Sequence, residues 1–242
     1  MLRRIKSAIY RAVRPYRVTT HRESLHNFAD HGSHREWQQL AMYLEVFAHV
    51  KDKPGDVLEF GVGSGTSFKA FVRLVEASNQ FTSRISHRNV IGFDTFEGLP
   101  QLSPADAASE GYTPARDMKA GGFNAAPHYA SLLEFCGAHP IAKVHKGLFS
   151  DTVPPFIEAN EHLAIALLHI DCDLYASTKD ALDPLFKRVV PGGIILFDEI
   201  FNPVYPGETK AFWEVFNAQS LGNQFEFVRV MSMPWKWYLR RS

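Results

Sequence analysis

Apolar and polar positions fall into two rhythms along this chain. Short, mostly apolar runs at DVLEFGV (56–62), NVIGFD (89–94), AKVHKG (142–147), LAIALLHID (163–171) and GGIILFDE (192–199) read as strands. Between them lie stretches with helical spacing: REWQQLAMYLEVFAHV (35–50), TSFKAFVRLVEAS (66–78), STKDALDPLFKRV (177–189) and TKAFWEVFNAQ (209–219). The last run, FEFVRVMSMPWKWYLRR, predicts an antiparallel strand pair turning near Pro234. Buried strands separated by helices predict an α/β fold with a doubly wound, mainly parallel, Rossmann-like sheet. In such sheets ligands bind outside the carboxyl ends of the strands. Residues 98–130 break the rhythm with Gly98, Pro100, Pro104, Gly111, Pro114, Gly121, Gly122 and Pro127, and predict a lid-like insertion. The expected organisation is a basic N-terminal tail over 1–34 and one domain over 35–242.

Composition narrows the function classes. The chain has 242 residues, 45% of them hydrophobic and 21% charged, which suits one soluble domain with a substantial core. Its net charge is zero with histidines neutral, so nothing global draws it to nucleic acid. Cys136 and Cys172 match no zinc spacing and read as reduced thiols of a cytoplasmic protein. Residues 1–17 place Leu2, Ile5, Ile9, Ala12 and Val13 on one helical stripe among arginines, ending near Pro15. Contact with a membrane surface is one reading; packing on the domain is the favoured one. The aromatics after residue 200 make a homo-oligomer plausible.

Four motifs carry chemistry. In LEFGVGSGTSF (58–68) a strand runs through Gly61, Gly63 and Gly65 into a helix, with Ser64, Thr66 and Ser67 at its start. The glycines allow a tight turn and close approach of a ligand, and the helix start offers free N–H groups. The spacing is neither the dinucleotide fingerprint nor a P-loop. Glu59 before the glycines would repel a pyrophosphate but suits an ammonium or sulfonium, which favours S-adenosylmethionine. In IGFDTFEGLP (91–100), Asp94 ends a strand where a carboxylate can accept from both ribose hydroxyls. In HKGLFSDTVP (145–154), Ser150 and Asp151 either meet an adenine edge or cap a turn.

The fourth motif pairs HIDCDLYAST (169–178) with ILFDEI (195–200). Asp171 ends one strand, and Asp198 and Glu199 end the next. Neighbouring strands lie about 4.8 Å apart, so these acids converge, and they repel each other unless compensated. An oxygen-only set suits a hard cation, Mg²⁺ before Ca²⁺ or Mn²⁺. An arginine-paired or protonated cluster is the alternative. Asp173 either supports the site or anchors the turn, and Ser177 or Thr178 is expected to cap the following helix.

Taken in order, EFGVGSGTSF, FDTFEGLP, G-x-F-SDT-x-P, HIDCDLY-x-ST and GG-x-I-x-FDE resemble the macrocin-type sugar O-methyltransferases over about residues 55–200. The resemblance implies a class I methyltransferase fold, S-adenosylmethionine as donor and Mg²⁺-dependent methylation of a hydroxyl on a sugar or glycosylated small molecule. It implies Asp171, Asp198 and Glu199 as metal ligands, and Glu59, Gly61, Asp94, Ser150 and Asp151 around the cofactor. No histidine lies between Asp94 and Pro127, so the proton acceptor is expected to be a carboxylate or His128. A metal-independent methyltransferase and a non-catalytic module of the same fold are the rival readings.

Overall fold

The structure, a computed structural model, describes residues 28–80, 88–220 and 224–242. The basic stripe over 1–17 lies outside the described residues. Two compact units divide at residue 39, inside helix α1 (His34–Val50).

The second unit, 40–242, holds a seven-stranded sheet. Its strands are β1 (Asp56–Phe60), β2 (Val90–Asp94), β3 (Ala142–Lys146), β4 (Ile165–Ile170), β5 (Val189–Phe197), β6 (Phe225–Arg229) and β7 (Trp237–Arg241). The order is β3-β2-β1-β4-β5-β7-β6, with β1 to β5 parallel and β7 antiparallel to both of its neighbours. This is the predicted doubly wound sheet with an antiparallel terminal pair.

Strand alternation sorts the side chains into two cores. Leu58, Phe60, Ile91, Phe93, Leu168, Ile170, Ile195 and Phe197 pack on one face, under α4 (Phe149–Ala159), α5 (Tyr175–Leu185) and α6 (Pro206–Gln219). Val57, Val90, Leu167, Ile194 and Leu196 pack on the other, under α1 and α2 (Thr66–Gln80). No described helix is long and apolar enough to cross a membrane.

Three local readings need correction. Strand β5 starts at Val189, ahead of the predicted 192, because it runs through Pro191 and Gly192. Its pairing with β4 shifts there, from Ile165↔Val189 to Leu167↔Ile194. Residues 149–159 form helix α4 despite Pro154 and Pro155; Phe149, Val153 and Phe156 recur on its buried face and meet Phe60 and Phe93. Helix α3 (Ala126–Ala138) starts inside the predicted insertion and escaped notice because only Leu132 in it is fully buried.

The start of α5 needs correction as well. Ser177 and Thr178 do not cap it; they are buried within it. The N–H of Tyr175 donates instead to Asp106 Oδ1 at 2.6 Å, a carboxylate 69 residues away in the insertion. Asp106 is 2% exposed, and its other oxygen accepts from Ser103 N and Oγ, both at 2.7 Å. Lys210 Nζ donates to the Ala105 carbonyl, and Ser109 N to the Pro203 carbonyl. Leu99 exchanges backbone bonds with Gly121 and Gly122, so the loop between is closed at its neck. The insertion is thus fastened to the segment that follows β5.

A buried acceptor serving three donors is costly to lose. Asp106→Ala should lower stability in urea unfolding by about 1–3 kcal/mol. Asp106→Asn, which keeps one oxygen acceptor, should lose less.

Candidate active site

The carboxyl ends of β1, β2, β4 and β5 open on one crevice, at the point where the strand order reverses between β1 and β4. Gly61 crosses closest to β4. Its φ is +94°, its N–H donates to the Phe93 carbonyl, and a Cβ there would sit 1.7 Å from the Asp171 carbonyl oxygen. Gly63, with φ +55°, differs: a Cβ would meet nothing within 4 Å, so its backbone borders open space. Ser64 and Thr66 are exposed beside it, their hydroxyls 3.1 Å apart.

Asp94 braces this turn. One oxygen accepts from Gly63 N at 2.7 Å and the other from Phe96 N at 2.6 Å. Phe96 has a positive φ of 56°, so the second bond also secures a strained residue. Ser150 and Asp151 stand exposed in the first turn of α4, with Ser150 Oγ 3.2 Å from Asp151 Oδ1.

Glu59 does not face the crevice. It is fully buried and accepts a short hydrogen bond from the buried Ser67. Glu59 and His169 are register partners on adjacent strands, with Oε1 3.5 Å from Nδ1. Glu59 Oε2 and both ring nitrogens of His169 have no hydrogen-bond partner. Tyr43 joins this pair from α1; burial and then the Glu59 charge push its hydroxyl pKa up. Among the described residues, Glu59, His169 and Asp171 bring ligand-type atoms within 4.8 Å of one another.

Of the acids expected to converge, Asp171 and Glu199 each feel the charge of Asp198. Burial, then the charges of Asp198 and Asp173, push the Asp171 carboxyl well up. Burial and Asp198 push Asp173 up to about 7. Burial and Asp198 push Glu199 to about 7 as well, while Asn202 donates to it. Asp173 also takes a positive φ of 61°, which turns the chain into α5.

The sequence reading missed two members of the cluster. Glu208, in the first turn of α6, is fully buried; one oxygen accepts from Glu199 N at 3.0 Å and the other has no partner. Lys236, 9% exposed, donates to the Asp198 carboxylate and, at 3.1 Å, to the Asp198 carbonyl. Burial alone would raise Asp198, but Lys236 outweighs it and holds the carboxyl low. Glu208 lies in a run with no strand signal, and Lys236 lies in the terminal hairpin among aromatics. Tyr205 borders the same space: burial and then Asp173 push its hydroxyl up to about 12, and Asp117 of the insertion adds to the shift. His128 stands exposed in the first turn of α3.

A family model described as macrocin-O-methyltransferase (TylF) matches residues 29–236. The chain belongs to the macrocin-O-methyltransferase family. It is 31% identical over 152 residues to 8-demethyl-8-(2,3-dimethoxy-alpha-L-rhamnosyl)-tetracenomycin-C 4'-O-methyltransferase of Streptomyces olivaceus, covering 60% of this chain and 53% of that one. It is 28% identical over 154 residues to mycinamicin III 3''-O-methyltransferase of Micromonospora griseorubida, covering 60% and 55%. The chain thus spans about half the length of these two relatives. The crystal structure of CalS11, calicheamicin methyltransferase, superposes with a TM-score of 0.78 at 25% identity, covering 96% of this chain and 90% of that one. Within this macrocin-type fold, the glycine turn and the acid cluster meet where Asp171 N donates to the Phe60 carbonyl at 2.8 Å.

The two glycines of the turn should respond differently. Gly61→Ala combines a forbidden φ with a backbone clash and should cost about 3 kcal/mol or more in thermal or chemical unfolding. Gly63→Ala meets only the left-handed backbone penalty, about 1–2 kcal/mol.

Proposed function

We propose that this chain transfers the methyl group of S-adenosylmethionine to a hydroxyl of a sugar or glycosylated small molecule, with Mg²⁺ held by Asp171, Asp198 and Glu199. The observation that carries the reading is the acid cluster, whose carboxyls lie beside a glycine turn open at Gly63. Family membership and the names of the two sugar O-methyltransferase relatives support the reaction class and the kind of acceptor.

The residues fit both groups. Gly63 leaves room for a ligand against the backbone, and Asp94 retains acceptor capacity on both oxygens after bracing the turn. Asp94 would accept from the ribose, and Ser64, Thr66, Ser150 and Asp151 would border the cofactor. Glu59 and Ser67 support the turn from beneath rather than touching the donor. For the metal, the donors are oxygens alone, and burial, then the charge of Asp198, pushes Asp171, Asp173 and Glu199 up. We prefer Asp171, Asp198 and Glu199 to the Glu59–His169–Asp171 group, because Glu59 and His169 are sealed in the core while the three acids are part-exposed.

Mg²⁺ bound there supplies Lewis acidity that lowers the pKa of the acceptor hydroxyl. The protein does the rest by placement. Asp173, two residues beyond Asp171, takes the hydroxyl proton. The turn at Gly61–Gly65 aims the methyl group at that oxygen, and the insertion, fastened through Asp106, covers the crevice.

Calorimetric titration of S-adenosylmethionine tests the core of this reading. Wild type should bind at micromolar concentration and Asp94→Ala should lose at least about tenfold, the scale of one lost hydrogen-bonded pair. No binding by wild type would overturn the proposal. EDTA should abolish methyl transfer to a deoxysugar acceptor, and added Mg²⁺ should restore it; activity that survives chelation would favour the metal-independent rival. Asp173→Asn should lower kcat by about 10²–10⁴-fold, whereas His128→Ala should leave it nearly unchanged. The reverse ranking would move the proton acceptor to His128.

A further inference from the structure

Lys236 is the cation whose charge opposes burial at each of Asp171, Asp173, Asp198 and Glu199. Its side chain is 11% exposed, and its ammonium donates to both a carboxylate oxygen and the carbonyl of Asp198. Its backbone is held on both sides of the terminal turn, since its N–H donates to the Met233 carbonyl at 2.9 Å and its carbonyl accepts from Val230 N at 3.0 Å. The ammonium therefore sits within the acid cluster on a fixed stem. It supplies one positive charge where Asp171, Asp173, Asp198, Glu199 and Glu208 converge.

We propose that Lys236 and the divalent cation compete for Asp198, so that the lysine is a built-in counter-ion of the metal-free site and sets its metal affinity. This rests on the reading above that Asp171, Asp198 and Glu199 hold the metal. The physics is linkage. Each cation relieves the same carboxylate repulsion, and an ammonium seated on Asp198 repels a dication brought to the same carboxylate. The apparent dissociation constant is the intrinsic one divided by the fraction of molecules in which the ion pair is open. The lysine in return keeps the cluster folded when no metal is bound, because an uncompensated buried carboxylate is destabilising.

The test is Mn²⁺ binding to the full chain, read by electron paramagnetic resonance of free Mn²⁺, together with melting curves with and without Mg²⁺. Lys236→Met removes charge and hydrogen bonds. Lys236→Gln removes the charge and keeps a donor for Asp198, and serves if the first variant does not fold. The proposal expects either variant to bind Mn²⁺ about tenfold more tightly than wild type, a typical coupling between two ligands of one site. It also expects a lower metal-free melting temperature and a larger upward shift on adding Mg²⁺. Unchanged or weaker Mn²⁺ binding by variants that fold, with wild type still binding, overturns the role of Lys236 alone. Absence of Mn²⁺ binding by wild type and variants alike overturns the metal reading and this inference with it.

Discussion

The constraint on which the site depends is an excess of buried negative charge. Five carboxyls, from Asp171, Asp173, Asp198, Glu199 and Glu208, gather at the ends of β4 and β5 and the start of α6, and Lys236 opposes the first four. Burial raises the cost of every one of these charges, and each carboxylate raises it further for its neighbours. The cluster divides as that arrangement demands. Asp198, next to the ammonium, is held low, while the others are pushed up. A site in that state has a standing demand for positive charge.

The fold concentrates that charge through backbone geometry. Parallel strands β1, β4 and β5 all end on one side, and the strand order reverses between β1 and β4. Gly61 allows the β1 turn to press against the Asp171 carbonyl, which puts the glycine turn and the first acid into direct contact. Asp94 stiffens the turn from the other side through Gly63 and Phe96. Asp106 caps α5 and ties the insertion to that helix in a single set of bonds.

Much of this was legible in the residue order. The strands that carry Glu59 and Asp94 and those that lead into Asp171 and Asp198 announce themselves as apolar runs, because a central parallel strand must be apolar on both faces. The glycine spacing and the acids after the runs were readable too, because turn residues and strand ends are local features. What misled was local chemistry overridden by distant partners. Ser177 and Thr178 look like caps, yet the cap is Asp106. Residues 149–159 gave no helix signal, yet Phe149, Val153 and Phe156 pack with Phe60 and Phe93 in one core and the segment is helical. Glu59 looks like a cofactor contact, yet strand alternation turns it into the core beside His169.

The sequence by itself determined the parallel sheet, the glycine turn and the acids at strand ends, because hydrophobic periodicity and turn chemistry act over a few residues and are written locally. Only the tertiary structure decided which charges meet. Lys236 reaches Asp198 across 38 residues, Tyr175 finds Asp106 across 69, and Glu208 comes back to Glu199 on the next helix. Electrostatic energy falls with distance in space and not along the chain, so the balance of charge at this site exists only once β7, α6 and the insertion have closed around β4 and β5.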